Sequence, residues 1–292
     1  MAEDYLTTKE LAALLRIKER KVYDLAATGA VPCSKAMGKL LFPRAEIEQW
    51  IADGKTRAPD RRAAPAPDVF LGSHDPLLEW AIRESDCGLA THFDSSLDGL
   101  ARFARREGIA SGLHLRNPET AQWNVDVVGQ RFQRHTVVLV GWTERRRGLV
   151  MRPEFEGKVA SLADIRCLKV VPRQQDAGAQ HLLDQMLGKI GLTRRDLTLL
   201  KPARSEADAV LRVSEGDADV TFSLEAVADQ FRLPFVPVVD ERFDLLVDRR
   251  SWFEPPLQRL MQFTGTRAFR QRAKSMPGID TSELGTVRFN SA

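Results

Sequence analysis

The chain is 292 residues long, 43% hydrophobic and 28% charged, with a formal net charge of +3; this fits one large or two ordinary globular domains and excludes a polycationic coating protein. No run approaches the roughly 18 apolar residues of a membrane span, and the start MAEDYLTTKE has neither a basic nor an apolar leader region, so a cytoplasmic location without membrane contact is expected. The three cysteines, Cys33, Cys87 and Cys167, show no CxxC spacing, which argues against a disulfide framework and against a zinc site. Positive charge is concentrated at one end: residues 1–62 hold 12 Lys or Arg against 9 Asp or Glu, leaving 31 of each for the remainder. Phosphate contacts by the N-terminal part require such an asymmetry.

Thr7 and Thr8 precede Lys9–Leu15, a run that places Leu11, Leu14 and Leu15 on one face of a capped helix. A break at Arg16-Ile17-Lys18 separates it from a second helix over Glu19–Thr28, with Val22, Leu25 and Ala26 as its apolar stripe and Gly29 as its stop. Gly38-Lys39 is placed to turn a short hairpin, and Pro43 opens a third helix ending near Ile51. The predicted order is helix, turn, helix, wing, helix. LTTKELAALLRIKERKVYDLAATGAVP followed by GKLLFPRAEIEQWI resembles the excisionase and MerR-like winged helix-turn-helix family over residues 5–52.

That resemblance implies a double-stranded DNA partner, with the second helix in the major groove and the hairpin along the backbone. Lys18, Arg20, Lys21 and Tyr23 on the second helix, Lys35 and Lys39 on the wing, and Arg44 at the start of the third helix become the candidate DNA contacts. Lys and Arg there mostly position a domain on phosphates. Residues 1–52 form this first domain, and residues 53–68, DGKTRAPDRRAAPAPD, read as a semi-extended linker.

Beyond the linker, VFLGSHDP reads as a buried strand running into a polar turn, with a helix over Leu77–Glu84. Similar strand-to-helix steps are predicted at Gly88–Phe103, Val137–Leu149, Leu168–Leu187 and Ala218–Phe231, continued by Leu233–Leu246 and a helical Pro255–Arg272. Short apolar strands alternating with amphipathic helices imply an α/β fold with a mostly parallel sheet. Residues 273–292 read as a tail whose order the pattern does not reveal. The stretches VFLGSHDPLLEW, SSLDGLARFARREGIASGLHL, RRRGLVM, VPRQQDAGAQHLLDQML and EGDADVTFSLEAVADQFRLPFVPVVDERFDLLVD carry a second resemblance, over residues 68–272. Together they resemble the periplasmic-binding-protein-like domain attached to helix-turn-helix modules, distantly similar to molybdate- and tungstate-binding proteins. The fold class implied is α/β: an N-terminal winged helix-turn-helix plus a two-lobed type II periplasmic-binding-protein-like domain over 69–272.

In two-lobed binding proteins the ligand lies between the lobes, where helix N-termini present free N–H groups and a positive dipole end. The resemblance places Ser73 and His74 of GSHD, Asp94, Ser95 and Ser96 of DSSLDG, and Arg173, Gln174, Gly178, Ala179 and Gln180 of the third loop at such a cleft. There they would bind a small molecule or an oxyanion such as molybdate or tungstate. Ser73 and Ser95 are also explained as plain helix caps. The family's third loop runs RQxGAGTR, whereas this chain has Asp176, Ala179 and Gln180 where Gly, Thr and Arg stand, and Asp94 before the paired serines. Losing a hydroxyl and a guanidinium while gaining two carboxylates leaves the sign of the ligand open.

His74, His92 and His114 match no metal-ligand spacing, so no metal or other cofactor is expected. G-x-S-x-G, GxxxxGK[ST] and GxGxxG motifs are absent, which argues against an enzyme. Three functions remain open. One is a ligand-sensing, homodimeric one-component transcriptional regulator; a second is a ligand-independent DNA-binding dimer whose second domain is a scaffold; a third is a metabolic protein, such as a molybdenum-cofactor enzyme accessory, carrying a vestigial DNA module.

Overall fold

The computed structural model describes residues 5–27, 31–36, 39–53 and 65–291. Gly29, Gly38 and residues 54–64 of the expected linker lie outside them, as do the side chains of Lys35 and Lys39. The chain divides into two compact units, residues 1–64 and 65–292.

The first unit contains β1 (Tyr5–Thr7), α1 (Thr8–Leu15), α2 (Glu19–Ala27), β2 (Ser34–Ala36), β3 (Lys39–Pro43) and α3 (Arg44–Asp53), with the antiparallel sheet ordered β1-β3-β2. A capping box starts α1: Glu10 N donates to Thr7 Oγ1 (3.3 Å), and Thr7 N donates to Glu10 Oε2 (2.8 Å). Arg16, at φ 54°, ends it in the left-handed conformation and turns the chain into α2. Leu11, Val22, Phe42 and Ile47 bury fully in one core. Leu14, predicted to share the face of Leu11 and Leu15, is instead 47% exposed, because the narrow stripe of an eight-residue helix turns past it.

The second unit is built on one sheet ordered β5-β4-β6-β11-β7-β10-β8-β9. Its elements are β4 (Val69–Gly72), α4 (Pro76–Glu84), β5 (Ala90–Phe93), α5 (Ser96–Ala104), β6 (Ala110–Leu113), α6 (Val125–Phe132), β7 (Val137–Met151), β8 (Lys169–Val171), α7 (Gly178–Lys189), β9 (Thr198–Leu199), α8 (Glu206–Ser214), β10 (Val220–Leu224), α9 (Glu225–Gln230), β11 (Phe235–Asp248), α10 (Pro255–Thr264), α11 (Arg267–Lys274), β12 (Ile279–Asp280) and β13 (Val287–Asn290). β4 pairs in parallel with β5 and β6, and β8 in parallel with β9 and β10. Between these parallel groups run β7 and β11, 15 and 14 residues long and antiparallel to each other.

The sheet is therefore mixed, where the alternating pattern predicts it mostly parallel. The difference arises at Val137–Leu149, expected to pass from strand to helix: the segment TERRR stays in β7, because Arg145 and Arg147 point inward and are paired there. Strands β12 and β13, from the expected tail, pair with β7 as well. Among the described residues no helix is long and apolar enough to cross a membrane.

Candidate functional site

On the first unit, Lys18, Arg20, Lys21 and Tyr23 are exposed on and just before α2, opposite the buried Val22, and Tyr23 is 52% exposed. Arg44 is exposed at the first residue of α3. Lys35 and Lys39 stand on the β2–β3 ladder, paired by backbone register with Leu40 and Ala36.

In the second unit, a cavity of about 300 Å³ opens between the two parallel groups. Its wall brings together seven of the ten residues placed at the ligand cleft: Ser73, His74, Asp94, Ser95, Arg173, Gly178 and Ala179. The chain reaches it through tight strand-to-helix turns. Gly72, at φ +93°, leaves β4 where an added Cβ would sit 2.5 Å from Gly112 O, and a Cβ at Gly99 of α5 would meet Gly72 Cα at 2.3 Å. Only glycine at both places lets α5 press its first turn against the end of β4. That approach brings Ser73 Oγ within 2.7 Å of Ser96 Oγ.

Ser95 Oγ accepts from Asp98 N (3.1 Å) and caps α5, while also lining the cavity. Ser96 is fully buried behind the wall, accepting from His114 N (3.2 Å). Gln180 accepts from Arg173 N (2.9 Å) and donates to Asp184 (2.9 Å), and Gln174 donates to Asp94 (2.5 Å), so these two stabilise loops beside the cavity. Asp176 is exposed and is not part of the wall.

Two features favour negative charge here. Ala177, the N-cap of the 12-residue α7, offers no side-chain cap, so the first amides of the helix are left to the cavity. Arg173 is 8% exposed, and its Nε and Nη1 are buried without a hydrogen-bond partner. Burial pulls its pKa down, against the fields of Glu206 and other nearby carboxylates.

Sequence reasoning missed several wall residues, among them Ser205 and Glu206, and left His114 between pocket lining and core. The S-x-x-D spacing of Ser205 and Asp208, whose N–H donates to Ser205 Oγ (2.9 Å), marks the start of α8 and was a usable signal. His114 directly follows β6, the strand-end position its sequence context gives it. The three histidines each turn to a different carboxylate: His74 to Glu79, His92 to Asp98 and His114 to Glu241.

Beneath the cavity runs a buried ion ladder. Arg145 pairs with Asp75 (3.1 Å) and with Glu241, its cross-strand partner; Arg147 pairs with Glu241 (2.8 Å) and Glu206 (2.9 Å); and Ser223 Oγ donates to Glu206 (2.6 Å). Asp75 also caps α4, and Glu206 lies in the first turn of α8, so the ladder ties the two parallel groups together across β7 and β11. Burial pushes Glu206 up, but Arg147, Arg173 and the Ser223 hydroxyl outweigh it and hold the carboxyl at about 2. Glu241 is likewise pushed up by burial, yet Arg145, Arg147 and His114 hold it well below the usual carboxylate range.

Asp244 behaves oppositely, since burial raises it to about 6 against a hydrogen bond from Asn124. A raised folded-state pKa adds stability as pH falls through 6 toward the ordinary 3.8, whereas the depressed Glu206 and Glu241 lose theirs as pH falls below the ordinary 4.5. Between pH 7 and 5 the gain from Asp244 is opposed by His114, whose burial holds its pKa below the ordinary 6.5, so it is the melting temperature of wild type relative to Asp244→Asn that is expected to rise over that window, and both proteins are expected to fall steeply below about pH 4.5. Scanning fluorimetry of the two proteins checks it; a difference between them that stays constant from pH 7 to 5 would rule the Asp244 contribution out.

Taken together, these units define a chain with a helix-turn-helix fold at one end and a ligand-binding α/β fold at the other. Residues 5–55 match a helix-turn-helix domain, and residues 79–265, more than half the chain, match the PBP superfamily domain. The chain belongs to the PBP superfamily. It is 22% identical to the uncharacterized protein YvgK of Bacillus subtilis (strain 168), with 96% of each chain covered. Among solved structures, the regulatory domain of MetR, a LysR family regulator from N. meningitidis, superposes with a TM-score of 0.50 at 9% identity, covering 73% of this chain and 97% of that one. At that identity the likeness concerns the fold alone.

Proposed function

We propose that this chain is a one-component transcriptional regulator, in which the first unit binds double-stranded DNA and an anionic small molecule, held in the cavity of the second, controls it. Arg173 carries the ligand half of this reading. Burying a guanidinium with its Nε and Nη1 left without hydrogen-bond acceptors is unfavourable in the free protein, and it becomes favourable once an anion accepts from them. A ligand-free scaffold gives no reason to keep such a group beside the uncapped N-terminus of α7. The anion accepts from Arg173, from the Gly178 and Ala179 amides, and from the Ser73 and Ser95 hydroxyls; His74 and Asp94 flank it. Ser96, Gln174 and Gln180 act behind them, through the bonds described above.

The test is thermal shift of the full chain against molybdate, tungstate, sulfate and small carboxylates. A binder at 100 times its Kd stabilises by about 2.7 kcal/mol. Shifts with amines or neutral compounds but with no anion reject the sign.

For the DNA half, Lys18, Arg20, Lys21 and Tyr23 meet the major groove, Lys35, Lys39 and Arg44 the backbone, and a homodimer reads two half-sites. Arg20→Ala with Lys21→Ala is expected to weaken DNA binding and to reduce the log-log salt slope by about 0.9 for each phosphate no longer neutralised. Both side chains are exposed, so folding is preserved. Fluorescence anisotropy at several salt concentrations measures this, and an unchanged slope rejects α2 as the recognition helix.

A further inference from the structure

A second cavity, of about 430 Å³, also reaches the start of α7, and Gly178 lines both. Its walls come from both parallel groups of the sheet: the segment 115–130 after β6 with Leu97 of α5, and α7. The chemistry of those walls is mixed. Leu97, Leu115, Val127 and Leu182 supply apolar surface. Among them Arg116 Nη1, His181 Nε2 and Gln185 Oε1 are buried with no hydrogen-bond partner, which native proteins rarely tolerate without a reason. The loop that forms the outer wall is also strained, with the non-glycine residues Ala121 and Asn124 at φ 60° and 58°. Left-handed outliers of this kind cluster at ligand clamps.

Resting on the anion assignment above, we infer that the two cavities form one ligand site and that the ligand is an organic acid, with its acid group on Arg173 and the α7 amides and its body, bearing hydroxyl or amide groups, in the second cavity. A tetrahedral inorganic oxyanion leaves the second cavity empty and its three polar atoms unanswered. An organic body answers each of them. Gln185 Oε1 needs a donor, Arg116 Nη1 needs an acceptor, His181 Nε2 takes either, and the four apolar side chains cover the carbon skeleton. Combined, the cavities fall within the roughly 300–1,000 Å³ that encloses organic ligands. Gly178 is required at the junction, because an added Cβ would lie 2.8 Å from the His114 ring.

The test titrates the full chain by calorimetry with molybdate and sulfate on one side and gluconate, N-acetylglutamate and 4-hydroxybenzoate on the other, using wild type, His181→Leu, Gln185→Met and Arg173→Ala. At least one organic acid is expected to bind, and His181→Leu and Gln185→Met should each weaken it by about tenfold while leaving the inorganic anions unchanged. His181→Leu removes an unpartnered polar atom, so its melting temperature should equal or exceed that of wild type, which distinguishes a weakened ligand interaction from a damaged fold. Binding of inorganic anions alone, or organic-acid binding that neither second-cavity variant alters, overturns the inference and leaves the anion assignment standing. Absence of any anion binding, or binding indifferent to Arg173→Ala, overturns both.

Discussion

Replacing Glu241 with Gln is expected to lower the stability of the second unit by about 3–5 kcal/mol, the usual consequence of removing one partner from a buried ion cluster. Glu241 is fully buried and accepts from Arg145, from Arg147 at 2.8 and 3.0 Å, and from His114 at 3.2 Å. The amide keeps the shape but not the charge, and its NH₂ group faces guanidinium donors. Arg145 would be left with Asp75, and Arg147 with Glu206. Arg145, Arg147 and Asp75 stay buried, while Glu206 edges the cavity wall.

For a unit of this size such a loss corresponds to a fall in Tm of roughly 10 °C or more. The control is Glu154→Gln, which weakens the exposed Arg152–Glu154 pair at 2.7 Å and should change stability by less than about 1 kcal/mol. Calorimetric melting of both variants decides the matter, and equal Tm values for the two would mean that the ladder is stabilised by packing alone. Because the ladder joins the cap of α4 to the first turn of α8, Glu241→Gln should also loosen the cavity. Ligand affinity is therefore expected to fall along with stability.

How much of the molecule is legible in its sequence follows from the distance over which each feature is specified. The turn between α1 and α2 is local: Thr7 caps, Glu10 closes the box, and Leu11 and Val22 mark the inward faces within sixteen residues. β1 is not legible, because its three residues become a strand only by pairing with Leu41–Pro43. Ser73 and Ser95 could be placed at a cleft because the resemblance puts each in a strand-to-helix turn; the cap reading holds for Ser95 on α5 but not for Ser73, since Asp75 caps α4 and the Ser73 hydroxyl turns to Ser96.

The ladder leaves no such local mark. Arg145 and Arg147 look like the polar face of a helix, and their burial depends on Glu241, about a hundred residues further on. Buried charge breaks the apolar alternation by which β7 would be recognised as a strand. His114 and Glu206 sit at local marks, the end of β6 and the capped start of α8, but their meeting at one cavity is set by the long pairing of the sheet. Asp176, whose charge looks unfavourable for an anion, is placed by loop direction that sequence does not encode simply; it is exposed and off the wall.

Arg173→Ala is expected to move affinity and stability in opposite directions. The backbone of residue 173 keeps its bond to Gln180, since the donor there is the main-chain N–H. What disappears is a guanidinium whose Nε and Nη1 are buried and unpartnered, so the free protein should be as stable as wild type or slightly more so. With an anion bound, the same group is a charge-assisted donor in a site mostly shielded from water, and truncating such a donor costs about 2–5 kcal/mol, or at least 30-fold in Kd. Arg173→Lys keeps the charge but not the planar fork, and its affinity should fall between the two. The opposite outcome is equally readable. Glu206 feels the Arg173 charge, so if Arg173 serves mainly as its counter-ion, Arg173→Ala will lower the melting temperature and leave anion affinity untouched. Calorimetric titration and thermal melting of the three proteins with the same anion separate these two roles, because only a group that touches the ligand loses affinity while the apo protein keeps its stability.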